Sequence, residues 1–338
     1  MRSVACIEQC AGLHKAAVGA TIALTGRRLN RTIEVDFRGA TGFVGAAPVL
    51  VRHHRVEVRV PSHARAGRPR VVDSDGHRSR AKQTLEIVPA RRLPAPASFA
   101  LLQSNVRPHR AFFDRARGVR LSYLFRARGS VDVRVKLVRG GKAARTWVLR
   151  HQLPYRIHHL RWNGLAHGQP ARHGHYRFRV QRLGHPAHPS PPFRFFDGMF
   201  PVRGPHGYGG PVQRFGAPRS GGRVHQGQDV FASCGTRVVA AQGGRVQARG
   251  SDPVLYGNWV VIDGRGTKTD YRYAHFLHPA SVHDGERVRT GERIGRIGKT
   301  GNARTVGCQL HFEVWPWGWE RRHPVDPLPI LKRWDGWS

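Results

Sequence analysis

Short alternating runs constrain this chain more than any other feature in it. In Val131-Asp-Val-Arg-Val-Lys-Leu137, apolar residues hold every second place, and Asp132, Arg134 and Lys136 stand between them. The same period of two recurs across 55–60, where Val56, Val58 and Val60 alternate with Arg55, Glu57 and Arg59, and again across 176–180. Successive side chains of a strand point to opposite faces, whereas a helix repeats about every 3.6 residues, so these runs make half-buried antiparallel strands and poor helices. Glycine, with 40 residues, and proline, with 23, punctuate the runs. The expected fold class is all-β. No window approaches about 18 consecutive apolar residues, so no transmembrane segment is expected.

Two proline-rich stretches, 89–97 and 184–192, read as linkers, because proline neither donates to a ladder nor continues a helix. Three segments result. Residues 1–92 hold β-rich runs at 21–26, 32–37, 55–60 and 84–88 and are expected to form a small sandwich. Residues 100–184 repeat that style without repeating the sequence and are expected to form a second one. Residues 195–338 are glycine-rich, with strands expected at 259–263, 271–276 and 308–315 and with Trp315, Trp317 and Trp319 near their end. Packing of this Trp-rich extension against a sheet is the expectation for the three rings, and stacking on a sugar face is the alternative.

Charge narrows the partners. Lys plus Arg is 57 against 21 for Asp plus Glu, a net charge of +36, and only 7 of the 57 are Lys. Arginine keeps its proton at any biological pH and grips phosphate or carboxylate with a planar fork, so anionic polymers are the expected partners. No helix-turn-helix, RNA-binding aromatic pattern or zinc-finger spacing is present, and no specific nucleic acid is expected. The hydrophobic share of 39% and the eight Trp are those of a folding chain. A monomer is expected.

Four cysteines allow three pairings. Cys6 and Cys10 lie close together while Cys234 and Cys308 sit far along the chain, so the expected disulfides are Cys6–Cys10 and Cys234–Cys308. They imply an oxidising compartment, hence a secreted or envelope protein; four reduced, buried thiols in a cytosolic protein are the alternative. Cys6, Glu8, Gln9 and Cys10 interrupt the first apolar stretch, so no secretory leader is read at the start.

Chemistry concentrates in the third segment. In Gly307-Cys-Gln-Leu-His-Phe-Glu-Val314, the residues Gln309, His311 and Glu313 share one face of a strand, and Cys308, Leu310, Phe312 and Val314 the other. Cys308 therefore cannot share a metal with His311, but it can reach Cys234 across the core side. Upstream, His225 and Asp229 are four steps apart. Extended, that is about 13 Å, too far for both to ligate one ion at about 2 Å each, so the chain bends between them, and Gly227 stands where the bend is needed. His275 follows on another alternating run. Two His and one Asp suit Zn²⁺, with a fourth position left open.

The elements His225-x-x-x-Asp229, Tyr256-Gly-Asn258, Tyr273-Ala-His275, Gly285-x-x-Val-x-x-Gly291-x-x-Ile-Gly295, Gly298-x-Thr-Gly301 and Leu310-His-Phe-Glu313 occur in this order over roughly 120 residues. The pattern resembles the M23 zinc metallopeptidases, the lysostaphin-like or LytM-type family. The resemblance implies an antiparallel sheet core with a groove over one Zn²⁺ held by His225, Asp229 and His311. It implies catalysis by His275 as a base or a donor to the oxyanion, and cleavage of peptide cross-links in bacterial peptidoglycan. This chain departs from the family at Gln309, where the family has a second catalytic histidine. Glutamine cannot take up a proton, although its amide can donate to a tetrahedral oxyanion.

More loosely, 19–26, Val60-Pro61 and 73–76 resemble the immunoglobulin-like IPT/TIG module, and Trp162-Asn-Gly164 with 174–178 is similar to Ig-like domains found beside envelope enzymes. Glu313 either orients a ligand histidine or is a solvated strand carboxylate. Arg223 is expected on the general surface, with a grip on a substrate carboxylate as the alternative, and Tyr256, Tyr271 and Tyr273 are expected in groove or core packing. Two functions follow: a zinc endopeptidase acting on peptidoglycan, weakened at Gln309, or a degenerate scaffold that binds peptidoglycan or regulates another hydrolase.

Overall fold

The alternating runs become antiparallel ladders. The computed structural model describes residues 1, 3–116, 118–321 and 323–337. Among these, regular structure is almost entirely strand, with five short 3-10 turns and a single α-helix, Leu328–Asp335. No helix among the described residues is long and apolar enough to cross a membrane. The chain divides into two units. One comprises Met1–Arg107, Arg120–Arg161 and Arg177–Pro192, and the other Pro108–Val119, Trp162–Tyr176 and Phe193–Ser338.

In the first unit, a sheet of Ser3–Cys6, Thr21–Thr25, Arg55–Arg59 and Pro48–Arg52 shares its core with a sheet of Arg78–Arg80, Arg70–Asp73, Thr32–Arg38 and Phe43–Ala46. Val56 and Val58 are fully buried, as the period of two requires, while Arg55 and Glu57 point the other way and pair with each other. The Cys6–Cys10 disulfide lies inside this core. Across 184–192 the chain is not a free linker: His188–Pro189 pairs with the strand Gly174–Arg182. Proline is accommodated in this two-residue outer strand because few ladder bonds are needed there.

The second unit is built on a seven-stranded sheet, whose strands are numbered here in chain order: β1 His206–Tyr208, β2 Gln228–Ala232, β3 Gly244–Asp252, β4 Gly257–Gly264, β5 Asp270–Phe276, β6 Arg287–Val288 and β7 Gln309–Trp315. Their spatial order is β1-β2-β7-β5-β4-β3-β6, antiparallel at each pairing. The most site-rich strand, β7, thus lies between β2 and β5. Its residues Leu310, Phe312 and Val314 face a core shared with Val230, Val260, Ile262, Tyr271 and Tyr273. The Cys234–Cys308 disulfide ties the loop after β2 to the entry of β7.

The helix, α1 (Leu328–Asp335), was not legible in the alternating pattern. It follows Pro327 and carries a proline in its first turn, where the missing N–H costs nothing. Leu331 and Trp334 turn inward, with Trp334 packing on Tyr271 and Phe312 and its indole N–H donating to Asp197 at 3.0 Å. The helix therefore closes the core side of the sheet and leaves the His311 side free. Trp315 is buried as expected of a packing residue, whereas Trp317 is 61% exposed.

Replacing Trp334 by alanine removes the largest buried ring of α1. The expected result is a loss of about 3–5 kcal/mol in the denaturant unfolding of the second unit, with little effect on the first.

Candidate metal centre

Register brings the first two site residues together. Asp229 of β2 stands directly across from His311 of β7, and His311 across from Ala274 of β5, so one cross-strand row carries the carboxylate and the imidazole on the same face. His225 precedes β2, and its backbone N–H donates to the carbonyl of Ala217 at 2.8 Å while its own carbonyl accepts from Gly216. Those two bonds hold the bend that the four-residue spacing requires. Gly227 is needed there for a reason other than the one expected. Its φ is not positive, but a Cβ would lie 2.4 Å from the carbonyl of Phe312 and 2.9 Å from His311. The glycine makes room for the imidazole.

Three ligand atoms converge. His311 Nδ1 lies 2.8 Å from Asp229 Oδ1 and 2.9 Å from His225 Nε2, and His225 Nε2 lies 3.3 Å from Asp229 Oδ1. Around an ion with bonds of 2.0–2.2 Å, ligands of a tetrahedron sit about 3.3 Å apart, so this triangle accommodates Zn²⁺ after an opening of about half an ångström. The remaining ring nitrogens are committed elsewhere. His225 Nδ1–H donates to the carbonyl of Arg214 at 2.9 Å, and His311 Nε2–H donates to Glu313 Oε1 at 2.9 Å. Each ring is thus locked with its other nitrogen aimed into the triangle, the arrangement found around bound metals. Two imidazoles and one carboxylate are also a zinc donor set.

Glu313 is not a solvated carboxylate: it is fully buried. Its Oε2 accepts from the Trp315 indole at 2.8 Å and from Arg272 Nη1 at 3.2 Å, which leaves Oε1 for His311. Arg272 stands opposite Glu313 in the ladder, and its guanidinium lies among the rings of Tyr256, Trp319, Trp259 and Trp315, the nearest 4.5 Å from its centroid. Sequence reading missed Arg272. The available signal was its position, two before Ala274 on the face that β5 shares with His311.

Burial alone would raise Asp229 and lower His311, yet their mutual hydrogen bonds win. The carboxyl of Asp229 is held well below its usual range by His225 and His311. Despite its burial, His311 is raised to about 9 by Asp229 and Glu313. For Glu313, burial is likewise outweighed by His311, and its carboxyl is lowered.

His275 behaves oppositely. Burial first, and then the charge of His311, push it down to about 4, so it is neutral at pH 7. Its Nδ1–H donates to the carbonyl of Thr300 at 2.9 Å, which leaves the Nε2 lone pair unprotonated. The residue has φ 65°, and the β4–β5 register slips between Asn258 and Val260. Without that bulge His275 would follow Tyr273 by alternation and change face; the left-handed backbone turns it back to the site, with its ring centroid 5.8 Å from that of His311.

Gln309 lies on the same face of β7, 3% exposed, and its Oε1 is buried with no hydrogen-bond partner among the described residues. His225, Asp229, His275, Gln309, His311 and Glu313 line a groove of about 600 Å³ whose walls also include Val212, Val224, Val306, Tyr256, Arg219 and Arg223. Tyr271 and Tyr273 lie in the core, and Arg223 is exposed on the groove wall.

Two outcomes are expected of this centre. Because His311 holds a proton up to about pH 9 in the absence of metal, zinc must displace it. Zinc affinity measured by competition should then rise about tenfold per pH unit toward that value and level off above it. Removing the orienting carboxylate with Glu313→Gln should weaken zinc binding by about 10- to 100-fold while the chain stays folded by circular dichroism.

Residues 223–327 match the family model described as peptidase family M23. The lipoprotein NlpD/LppB homolog of Pseudomonas aeruginosa is 36% identical over 114 residues, covering 34% of this chain and 35% of that protein. The peptidoglycan DD-endopeptidase ShyC of Vibrio cholerae is 38% identical over 91 residues, covering 27% and 20%. The murein hydrolase activator NlpD of Salmonella dublin is 33% identical over 105 residues, covering 30% and 25%. The matches thus span between 20% and 35% of these relatives' own lengths. The fold expected from the resemblance and the order of its motifs agree with this match, and it is the segment 223–327 of this chain that carries the similarity to peptidase family M23.

Proposed function

We propose that this chain is a zinc-dependent endopeptidase that hydrolyses peptide cross-links or stem peptides of bacterial peptidoglycan. The observation that carries the reading is the convergence of His225, Asp229 and His311 at 2.8–3.3 Å on the floor of an open groove. These three side chains would hold the ion. Bound zinc supplies Lewis-acid polarisation of a carbonyl and brings the pKa of water to about 7.

The chain's own groups do the rest. His275, neutral and fixed by Thr300, presents Nε2 as a proton acceptor and, once protonated, as a donor to a developing oxyanion. Gln309 contributes a dipole but no proton transfer. Valines on the groove walls give an extended peptide apolar contact, and Arg219 and Arg223 give its carboxylates a partner. The two disulfides support a secreted or envelope setting, where thiols pair and peptidoglycan is found. The names of the relatives, one an endopeptidase and one an activator of murein hydrolases, are consistent with action on that polymer.

A second reading rests on Gln309. A buried amide oxygen with no partner among the described residues, where the family has an imidazole, suits a groove that binds peptide without turning it over, so the alternative is a scaffold that binds peptidoglycan or regulates a hydrolase.

Release of soluble muropeptides from purified peptidoglycan separates the two. For the enzyme, the native chain releases fragments, His225→Ala falls to background, and His275→Ala loses about 10²- to 10⁴-fold. A native chain that releases nothing while Gln309→His gains activity establishes the scaffold instead.

A further inference from the structure

The first unit contains a three-stranded ladder whose two faces differ sharply. Val131–Arg139 pairs with Lys142–Gln152 on one side and with 177–182 of the strand Gly174–Arg182 on the other. Val133, Val135, Leu137, Phe178 and Val180 are buried on one face. The opposite face carries Arg134, Lys136, Arg177 and Arg179, of which Arg177 and Arg179 are exposed and the other two half-buried. Lys136 stands directly across from Arg179 in the ladder, an opposition of like charges that weakens a sheet. Among the described residues no ion pair joins a carboxylate to any of these four cations; Asp132, the sole acid in these three runs, spends its Oδ1 on the backbone N–H of His151.

A face that keeps like charges opposed and unneutralised is complementary to an anion lying across it. Its cations repeat at about 6.7 Å along a strand and about 4.8 Å between strands, which suits a linear polymer with a charge on every unit. Three of the four are arginines, whose forks bind phosphate oxygens in pairs. The ring of Trp147 packs toward Phe178 on the buried side, so the face offers no ring on which a base could stack. Val148 is the one large apolar side chain exposed on these strands among the described residues, too little to anchor in a bilayer.

We propose that this face docks a linear phosphodiester polymer without bases, of the polyol-phosphate class. The assignment is independent of whether the metal centre turns over.

The test measures binding of the full chain to purified poly(glycerol phosphate) as a function of salt. Each phosphate neutralised on a single strand contributes about −0.7 to the slope of log affinity against log salt, so R134A/K136A/R177A/R179A should flatten that slope by about 3. It should also lose at least about tenfold in affinity near 0.15 M salt. The variant should unfold at no lower temperature than the native chain, because it relieves the Lys136–Arg179 opposition. The milder Arg179→Gln should flatten the slope by about 0.7. R52A/R59A/R65A/R68A, an equal loss of charge from exposed positions elsewhere in the unit, should leave affinity within about twofold. The proposal is overturned if this control loses as much as the face variant or if the native chain does not bind the polymer. It is also overturned if single-stranded DNA of equal phosphate number, or phosphatidylglycerol vesicles, displaces the polymer at equal or lower concentration.

Discussion

The imidazole of His311 is held from both sides, and the rest of the site depends on that. Nδ1 meets Asp229 and His225, while Nε2 is fixed by a buried carboxylate that Trp315 and Arg272 themselves hold in place. The arrangement is a property of register. β2, β7 and β5 pair so that Asp229, His311 and Ala274 fall in one row and Glu313 and Arg272 in the next. A slip of one residue in β7 would turn His311 and Glu313 into the core and expose Phe312, so the buried pattern of Leu310, Phe312 and Val314 fixes the chemistry as firmly as the polar residues do. Ala274, opposite His311, leaves room where a larger side chain would crowd the ring.

Part of this was readable in advance, for physical reasons. A period of two over 309–314 assigns faces without knowledge of the partner strands, and the spacing of His225 and Asp229 requires a bend whatever the fold. Cys308, on the core side just before Gln309, could reach Cys234 while excluded from the site, and the disulfide joins them. What could not be read depends on pairing. Arg272 becomes a partner of Glu313 only once β5 lies beside β7, and the reach of His275 depends on a bulge in the β4–β5 ladder. Alternation places Arg272 on one face of its strand but names no partner for it, and local sequence carries no mark of the bulge. The role of Gly227 likewise lies in the space claimed by His311 and Phe312 from a strand more than eighty residues away in the chain. The helix α1 escaped notice because its two inward residues, Leu331 and Trp334, are too few to set a period.

The environments of the two site imidazoles differ in kind. His311 sits between two carboxylates and is drawn toward the charged form, whereas His275 sits in a desolvated pocket against a backbone carbonyl and is kept neutral. Groups pushed apart in this way divide the labour of a site, one holding charge or metal and the other exchanging protons. Gln309 adds neither capacity, so any proton traffic falls on His275 alone. Under the proposed endopeptidase reading, that single dependence would make turnover slower than in a two-histidine site of the same shape.

The central claim is that His225, Asp229 and His311 are ligands and not a hydrogen-bonded polar cluster. Elemental analysis of the purified native chain addresses it most directly. One zinc per chain, lost in His311→Ala with the fold retained, is the predicted result. A native chain without stoichiometric metal, even after exposure to zinc and removal of the excess, would contradict it.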